Sequence, residues 1–160
     1  MTLANERTAL ITQLVQERIE GRIKEKDYLK EVSAIDDRFL DRISRFANIL
    51  RIVDAMKIEE SIDFTKVDAE RMAVIRELHS VAEKEQIRKL ELAALQFKLG
   101  KSLPSAFHSV LIGLADFYQV DAASLNVRAY TTYVQIWESI DLTAVQEELR
   151  RLDAELISSL

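Results

Sequence analysis

Turn-forming residues are scarce in this chain: its 160 residues include three glycines and one proline. A β-sandwich or β-barrel needs a turn about every 8 to 12 residues, and those turns draw heavily on glycine and proline. Helices need fewer such residues, and apolar side chains recur along the chain at helical spacing. The sequence therefore predicts an all-α fold, a single domain over residues 1–160 that forms a helical bundle of about six helices.

Composition narrows the class of protein further. The chain has no cysteine, which excludes thiol catalysis, cysteine-ligated zinc and a disulfide scaffold. Charges at Glu6 and Arg7 interrupt the N-terminal segment, so we expect no secretory signal. No stretch approaches the ~18 apolar residues of a membrane span. We expect a cytoplasmic protein without membrane contact.

Residues 1–58 are predicted to form a long, charge-rich antiparallel helical hairpin. Its first helix ends near Glu20, and Gly21 stands where a C-terminal cap glycine is expected. Its second helix spans about Glu25 to Lys57 and carries a heptad seam, in which one position is an arginine. The apolar seam residues are Tyr28, Val32, Ile35, Phe39, Phe46, Ile49, Val53 and Met56.

Residues 68–140 are predicted to form a compact, aromatic-rich helical core. After a loop at Glu59–Lys66, one helix extends to Leu99, and its last third is apolar on most of its circumference. A helix of that kind is expected to be buried centrally. One seam of this helix comprises Val74, Leu78, Val81, Glu85, Arg88, Leu92, Leu95 and Leu99.

The rest of this core is predicted to be two shorter helices, near residues 102–118 and 127–139. Six of the chain's aromatic residues, which total six Phe, four Tyr and one Trp, fall between residues 102 and 137. Aromatic side chains at helical spacing are typical of a core, and a ligand pocket is the less favoured interpretation.

Residues 142–160 are predicted to form an amphipathic C-terminal helix with a narrow leucine seam. Apolar positions alternate by three and four residues, the spacing of a coiled coil. Such a stripe either packs on the chain's own bundle or binds another chain, and the narrowness of the stripe favours binding to a partner. The predicted partner-binding residues are Leu142, Val145, Leu149, Leu152 and Leu156.

Signatures of catalysis or metal binding are weak throughout the sequence. The two histidines, His79 and His108, are too few for a histidine-rich metal site. Adjacent acidic residues stand among arginines and lysines at helical spacing, which is typical of a solvated helix face. Three glycines cannot supply a glycine-rich phosphate loop. The sequence predicts a non-enzymatic protein with no catalytic residues, no cofactor and no metal site.

An arginine stripe on the second predicted helix offers a different function. Arg38, Arg42 and Arg45 recur at helical spacing and could follow a nucleic-acid backbone. Acidic residues are interleaved with them, so nucleic acid is not the favoured partner. Arg42 also occupies a seam position, where a charge needs a partner. We expect Glu85 to pair with Arg42, the alternative being that the Arg42 side chain reaches solvent.

The pattern as a whole indicates a non-catalytic subunit, such as an adaptor or assembly chaperone, in a larger complex. Its predicted contacts are protein partners, or further copies of itself, that bind its helical seams. The alternative is a small helical subunit of a nucleoprotein complex that contacts RNA or DNA through the arginine stripe.

Overall fold

The protein's computed structural model describes residues 2–120 and 124–160, and every regular element in these ranges is an α-helix. The predicted all-α class is thus confirmed. Within these ranges, no helical segment combines the length and the apolar content of a membrane span. The described part of the chain contains nine helices: α1 (Leu3–Ile19), α2 (Glu25–Ile35), α3 (Phe39–Ile43), α4 (Ala47–Ser61), α5 (Phe64–Val81), α6 (Lys84–Lys98), α7 (Pro104–Phe117), α8 (Leu125–Glu138) and α9 (Leu142–Ser158).

The difference between six and nine helices arises from breaks inside two long predicted helices. The predicted helix at residues 25–57 divides into α2, α3 and α4. Asp36 adopts an extended conformation (φ −110°, ψ 107°) and ends α2, and a second break separates the end of α3 at Ile43 from the start of α4 at Ala47. Seam residues on either side of these breaks, including Tyr28, Val32, Phe39 and Ile49, are nevertheless buried. The apolar spacing therefore indicated the buried side correctly, while continuity of the backbone was predicted wrongly.

A further break separates α5 from α6. Ala82 and Glu83 are extended, with ψ of 152° and 150°, where the sequence predicts continuous helix. The predicted loop at Glu59–Lys66 is also wrong, because α4 continues to Ser61 and α5 begins at Phe64. Asp63 allows this short connection, since its side chain accepts a hydrogen bond from the Thr65 N–H and caps α5.

The chain divides into two compact units, residues 1–56 with 140–160, and residues 57–139. In the first unit, α1 packs against α2, and α9 packs against α1 and α3. The C-terminal helix thus belongs to the same unit as the N-terminal helices. Its core includes Ile11, Val15, Leu29, Ile43, Leu149 and Leu152, all buried.

The second unit contains α5, α6, α7 and α8. Helix α8 packs against α5 and α7, whereas α6 packs mainly against α7. Its principal core cluster consists of buried residues from α5, α6 and α7 and the segment after α7: Val74, Leu78, Leu90, Phe107, Leu111, Ala115 and Val120.

Candidate interaction surfaces

The predicted C-terminal leucine seam lies almost entirely in the core of the first unit. Val145, Leu149, Leu152 and Leu156 are buried, whereas Leu142 is 73% exposed. The sequence left two alternatives open for this stripe, packing on the chain's own bundle and binding to another chain. These four side chains pack on the chain's own helices. They offer no surface to a partner while α9 remains packed on α1 and α3.

A buried polar cluster holds α9 in this position. Asp153, which is 6% exposed, accepts hydrogen bonds from the Arg18 guanidinium of α1, with Nε 2.7 Å from Oδ2, and from the Tyr28 hydroxyl of α2. Burial and the hydrogen bond to Asp153 raise the pKa of Tyr28 above its ordinary value. For Arg18, burial alone would lower the pKa, but the hydrogen bond and charge of Asp153 raise it on balance. The cluster is therefore a charged pair with a neutral tyrosine donor.

The other end of α9 has a second polar attachment. The Glu148 carboxylate accepts a hydrogen bond from the Asn48 N–H of α4 at 2.8 Å. The Asn48 side-chain oxygen in turn accepts the Asp141 N–H at 2.9 Å. These contacts satisfy backbone N–H groups near the starts of two helices. Together with the Asp153 cluster, they attach α9 at several points along its length.

The three arginines of the predicted nucleic-acid stripe line one recess of about 440 Å³. Arg38, Arg42 and Arg45 are brought together there with Asp41, Glu155, Ser158 and Ser159. The prediction that these arginines share a surface fits this arrangement, but the recess is not purely basic. Carboxylates from α3 and α9 lie among the guanidinium groups.

Two of these guanidinium groups pair with carboxylates. Arg42 Nε donates to Asp36 Oδ2 at 2.8 Å, and Arg45 forms an ion pair with Glu155. The Asp36 carboxylate is fully buried and also accepts a hydrogen bond from Arg7 at 3.1 Å. The expectation that Glu85 pairs with Arg42 is therefore wrong. The actual partner is six positions before Arg42, at the break that ends α2.

Three leucines of the seam predicted at Val74–Leu99 form an exposed face on α6 and the residue that caps it. Leu92, Leu95 and Leu99 are 57%, 52% and 58% exposed, although the sequence predicts central burial for this part of the chain. The helix is indeed apolar on two sides, but only one of them faces the core. The residues on that inner side are Ile87, Leu90, Ala93, Ala94 and Phe97.

Charged residues border the leucine face on both flanks. Glu91 and Lys98 lie on one flank, Lys89 on the other, and all three are exposed. Glu91 Oε1 lies 3.5 Å from His79 Nε2 of α5, a weak contact between exposed side chains. We call the solvent-facing set Leu92, Leu95 and Leu99, with Glu91 and Lys98 beside it, the α6 face.

His108 packs against the inner side of α6. Its buried ring contacts the rings of Phe97, Phe107 and Tyr130 at centroid distances of 5.4, 5.0 and 5.1 Å. Nδ1 donates to the Pro104 carbonyl at 2.7 Å, and Nε2 accepts from Arg71 Nε at 3.1 Å. Burial lowers the pKa of His108, so the neutral ring is favoured.

Both nitrogens of His108 are thus engaged within the protein, whereas the other histidine, His79, is exposed. In residues 2–120 and 124–160, no three His, Asp or Glu side chains converge in an arrangement that could hold a metal ion. His108 is accordingly best described as a structural residue that links α5, α7 and α8 and packs against α6.

No protein-family model matches the chain, and neither a curated protein nor a solved structure matches it.

Proposed function

We propose that this protein is a non-catalytic interaction or assembly subunit whose binding surface is the α6 face. The observation that carries the proposal is the exposure of Leu92, Leu95 and Leu99, each more than half exposed, on one side of α6 and its C-terminal cap. Single exposed leucines are ordinary on protein surfaces. Three leucines at consecutive seam positions form a continuous apolar stripe, and such a stripe is typical of a helix that binds another helix.

We propose α6 rather than α9 as the binding helix because its leucines are exposed in the folded protein. Binding through Leu149 or Leu152 would require α9 to leave Arg18 and Tyr28, which bind Asp153. It would also return the buried side chains of Leu149, Leu152 and Leu156 to water, at roughly 1.5–3 kcal/mol for each. The α6 face is exposed without any such rearrangement, so it is the better candidate for a partner-binding site.

The nucleic-acid alternative has weaker support. Backbone recognition depends on cationic groups that can release counterions from phosphates. Arg42 and Arg45 are paired with Asp36 and Glu155, and the chain as a whole carries a net charge of −5. This alternative predicts binding to RNA or DNA that weakens steeply with added salt, which fluorescence anisotropy with a labelled oligonucleotide would measure.

Site-specific photo-crosslinking tests the proposal. A benzophenone amino acid placed at Leu95 should form a covalent adduct with a protein that binds the α6 face, in extract from the source cells. The same probe at Thr132, an exposed position of α8, is the matched control. An adduct from position 95 but not from position 132 supports the proposal. Equal yields from both positions, or no adduct from position 95, would overturn it.

A further inference from the structure

We infer that the α6 face binds a second copy of itself, with the two α6 helices antiparallel and a twofold axis between Ala93 and Ala94. This inference rests on the proposed function and specifies its partner. Among the ways to pair this helix with its own copy, one register aligns leucine with leucine and acid with base.

The exposed residues of α6, together with its C-terminal cap residue Leu99, follow a heptad pattern. Glu85, Arg88, Leu92, Leu95 and Leu99 are separated by three, four, three and four residues and are all exposed. In heptad terms they occupy positions a, d, a, d and a. Glu91 and Lys98 then occupy the g positions on one flank, and Lys89 and Gln96 occupy the e positions on the other flank. The hydrophobic part of the pattern is limited to its last three positions.

In the proposed register, position a of one helix lies opposite position d of the other. Leu92 then faces the partner's Leu95, and by symmetry the same pair occurs a second time. Arg88 faces the partner's Leu99, where the aliphatic stem of the arginine covers the leucine and its guanidinium group reaches solvent. All three leucines of each copy are covered, and the charge of Arg88 does not have to be buried.

Charge complementarity selects this register over its neighbours. Glu91 faces the partner's Lys98 in both halves of the dimer, so two opposite-charge pairs flank the leucines. Sliding one helix along the other by one heptad places Glu91 opposite the partner's Glu91 in one direction. In the other direction it places Lys98 opposite the partner's Lys98. Like charges at such positions oppose pairing and set helix orientation.

The parallel arrangement is disfavoured by the same argument. It would stack Glu85 on the partner's Glu85 and Arg88 on the partner's Arg88 within the seam. It would also bring Lys84 close to the partner's Lys89, because g and e positions meet across a parallel pair. The antiparallel arrangement avoids all three like-charge contacts.

The expected affinity is modest because the contact is small. Helix α6 has 15 residues, and the leucines occupy about two turns. Such a contact lies at or below the ~1,200 Å² lower limit of standard interfaces. We therefore expect a dissociation constant in the micromolar range, with dimers forming as the protein concentration is raised.

Sedimentation velocity of the full chain at increasing concentration tests self-association. The wild-type protein should shift from monomer toward dimer, whereas Leu95→Asp should remain monomeric at every concentration. Leu125→Asp, at an exposed position of α8, should dimerise like the wild type. Circular dichroism spectra that match the wild type would show that both variants are folded. A wild-type chain that stays monomeric up to millimolar concentration would overturn the inference.

A charge-swap cycle tests the orientation. Glu91→Lys and Lys98→Glu should each weaken dimerisation by roughly tenfold, since each replaces two attractive pairs by two repulsive ones. The double variant E91K/K98E should recover the wild-type dissociation constant. Dimerisation without such recovery would contradict the antiparallel register.

The crosslinking adducts from position 95 separate this inference from the proposed function. Adducts that contain peptides of this chain alone support self-pairing. Adducts with another protein, together with a monomer in sedimentation, overturn self-pairing and leave the α6 face as a binding surface. The absence of any adduct and of any dimer would overturn both.

Discussion

Helices α9 and α6 carry leucines at the same alternation of three and four residues, yet the two stripes have opposite environments. Leu149, Leu152 and Leu156 of α9 are buried, whereas Leu92 and Leu95 of α6 are more than half exposed. The spacing of apolar residues therefore identifies which side chains share a helix face. It does not identify what covers that face.

The rest of each helix explains the difference. On α9, the seam is the main apolar side, and Asp153 next to it binds Arg18 of α1 and Tyr28 of α2. On α6, a second apolar side contains Leu90 and the aromatic ring of Phe97, which stacks on Phe107 at 5.5 Å. Because α6 packs mainly against α7, only one of its two apolar sides can be buried within the unit, and the side with Phe97 is the buried one.

The largest effect is expected for a charge placed in the buried seam. Leu149→Asp should lower the free energy of unfolding by more than about 4 kcal/mol, because it removes a core side chain and buries a carboxylate. Urea denaturation monitored by circular dichroism measures this loss. Leu142→Asp on the same helix, where the side chain is 73% exposed, should change stability by less than about 0.5 kcal/mol. Equal effects of the two substitutions would mean that α9 is not packed as described.

The polar attachment of α9 can be broken separately. Asp153→Ala should destabilise the protein by about 3–5 kcal/mol, because the Arg18 side chain, only 13% exposed, is left without its carboxylate. The triple change R18M/Y28F/D153L replaces the whole cluster by apolar groups and should recover most of the loss in the same urea titration. If Asp153→Ala is as stable as the wild type, the cluster does not hold α9 in place.

Acid should lower the stability that buried His108 contributes where it packs against the inner side of α6. Burial lowers the pKa of His108, the charge of Arg71 lowers it further, and the Pro104 carbonyl and Glu138 act in the opposite direction. An unfolded histidine titrates near pH 6.5. Because the fold favours neutral His108, the unfolded chain binds the proton first as pH falls. The associated stability is therefore present above about pH 6.5 and decreases below it.

Fluorescence of Trp137, the single tryptophan and a member of the second unit, is a suitable probe of this effect. The urea midpoint should decrease between pH 7.5 and 5.5 in the wild type and in the control His79→Gln. His108→Gln should show a smaller decrease. If the two histidine variants respond to pH identically, His108 is not the responsible group.

The smallest effect on stability is expected for the exposed seam. Leu92→Asp should change the free energy of unfolding of the dilute monomer by less than about 0.5 kcal/mol, since its side chain remains largely in water. Differential scanning calorimetry at low protein concentration measures this difference. A loss comparable to that of Leu149→Asp would mean that the α6 face is covered within the chain.

Helix ends that carry special residues were predictable. Gly21 and Gly100 have φ of +70° and +68°, the left-handed conformation that glycine adopts most easily. Pro104 is the first residue of α7, where its missing N–H costs nothing. In these places the residue type and the local backbone requirement coincide.

Breaks inside apolar stretches were not predictable, because no glycine or proline marks them. Helix α2 ends at Asp36, whose carboxylate binds Arg7 from 29 positions away, as well as the nearby Arg42. The Arg18–Asp153 pair joins residues separated by 135 positions. Asp153 lies directly beside seam residue Leu152, which is the one local signal for its role. No pattern within one helix could identify its partners.

The sequence by itself determined the helical class and the apolar stripes of each helix, because both depend on interactions within a few turns of one chain segment. Only the tertiary structure decided that the α9 stripe is buried and the α6 stripe is exposed. Burial depends on which other surface lies opposite. On α6, two apolar sides compete for the same neighbouring helix, and the side that contains Phe97 packs against it.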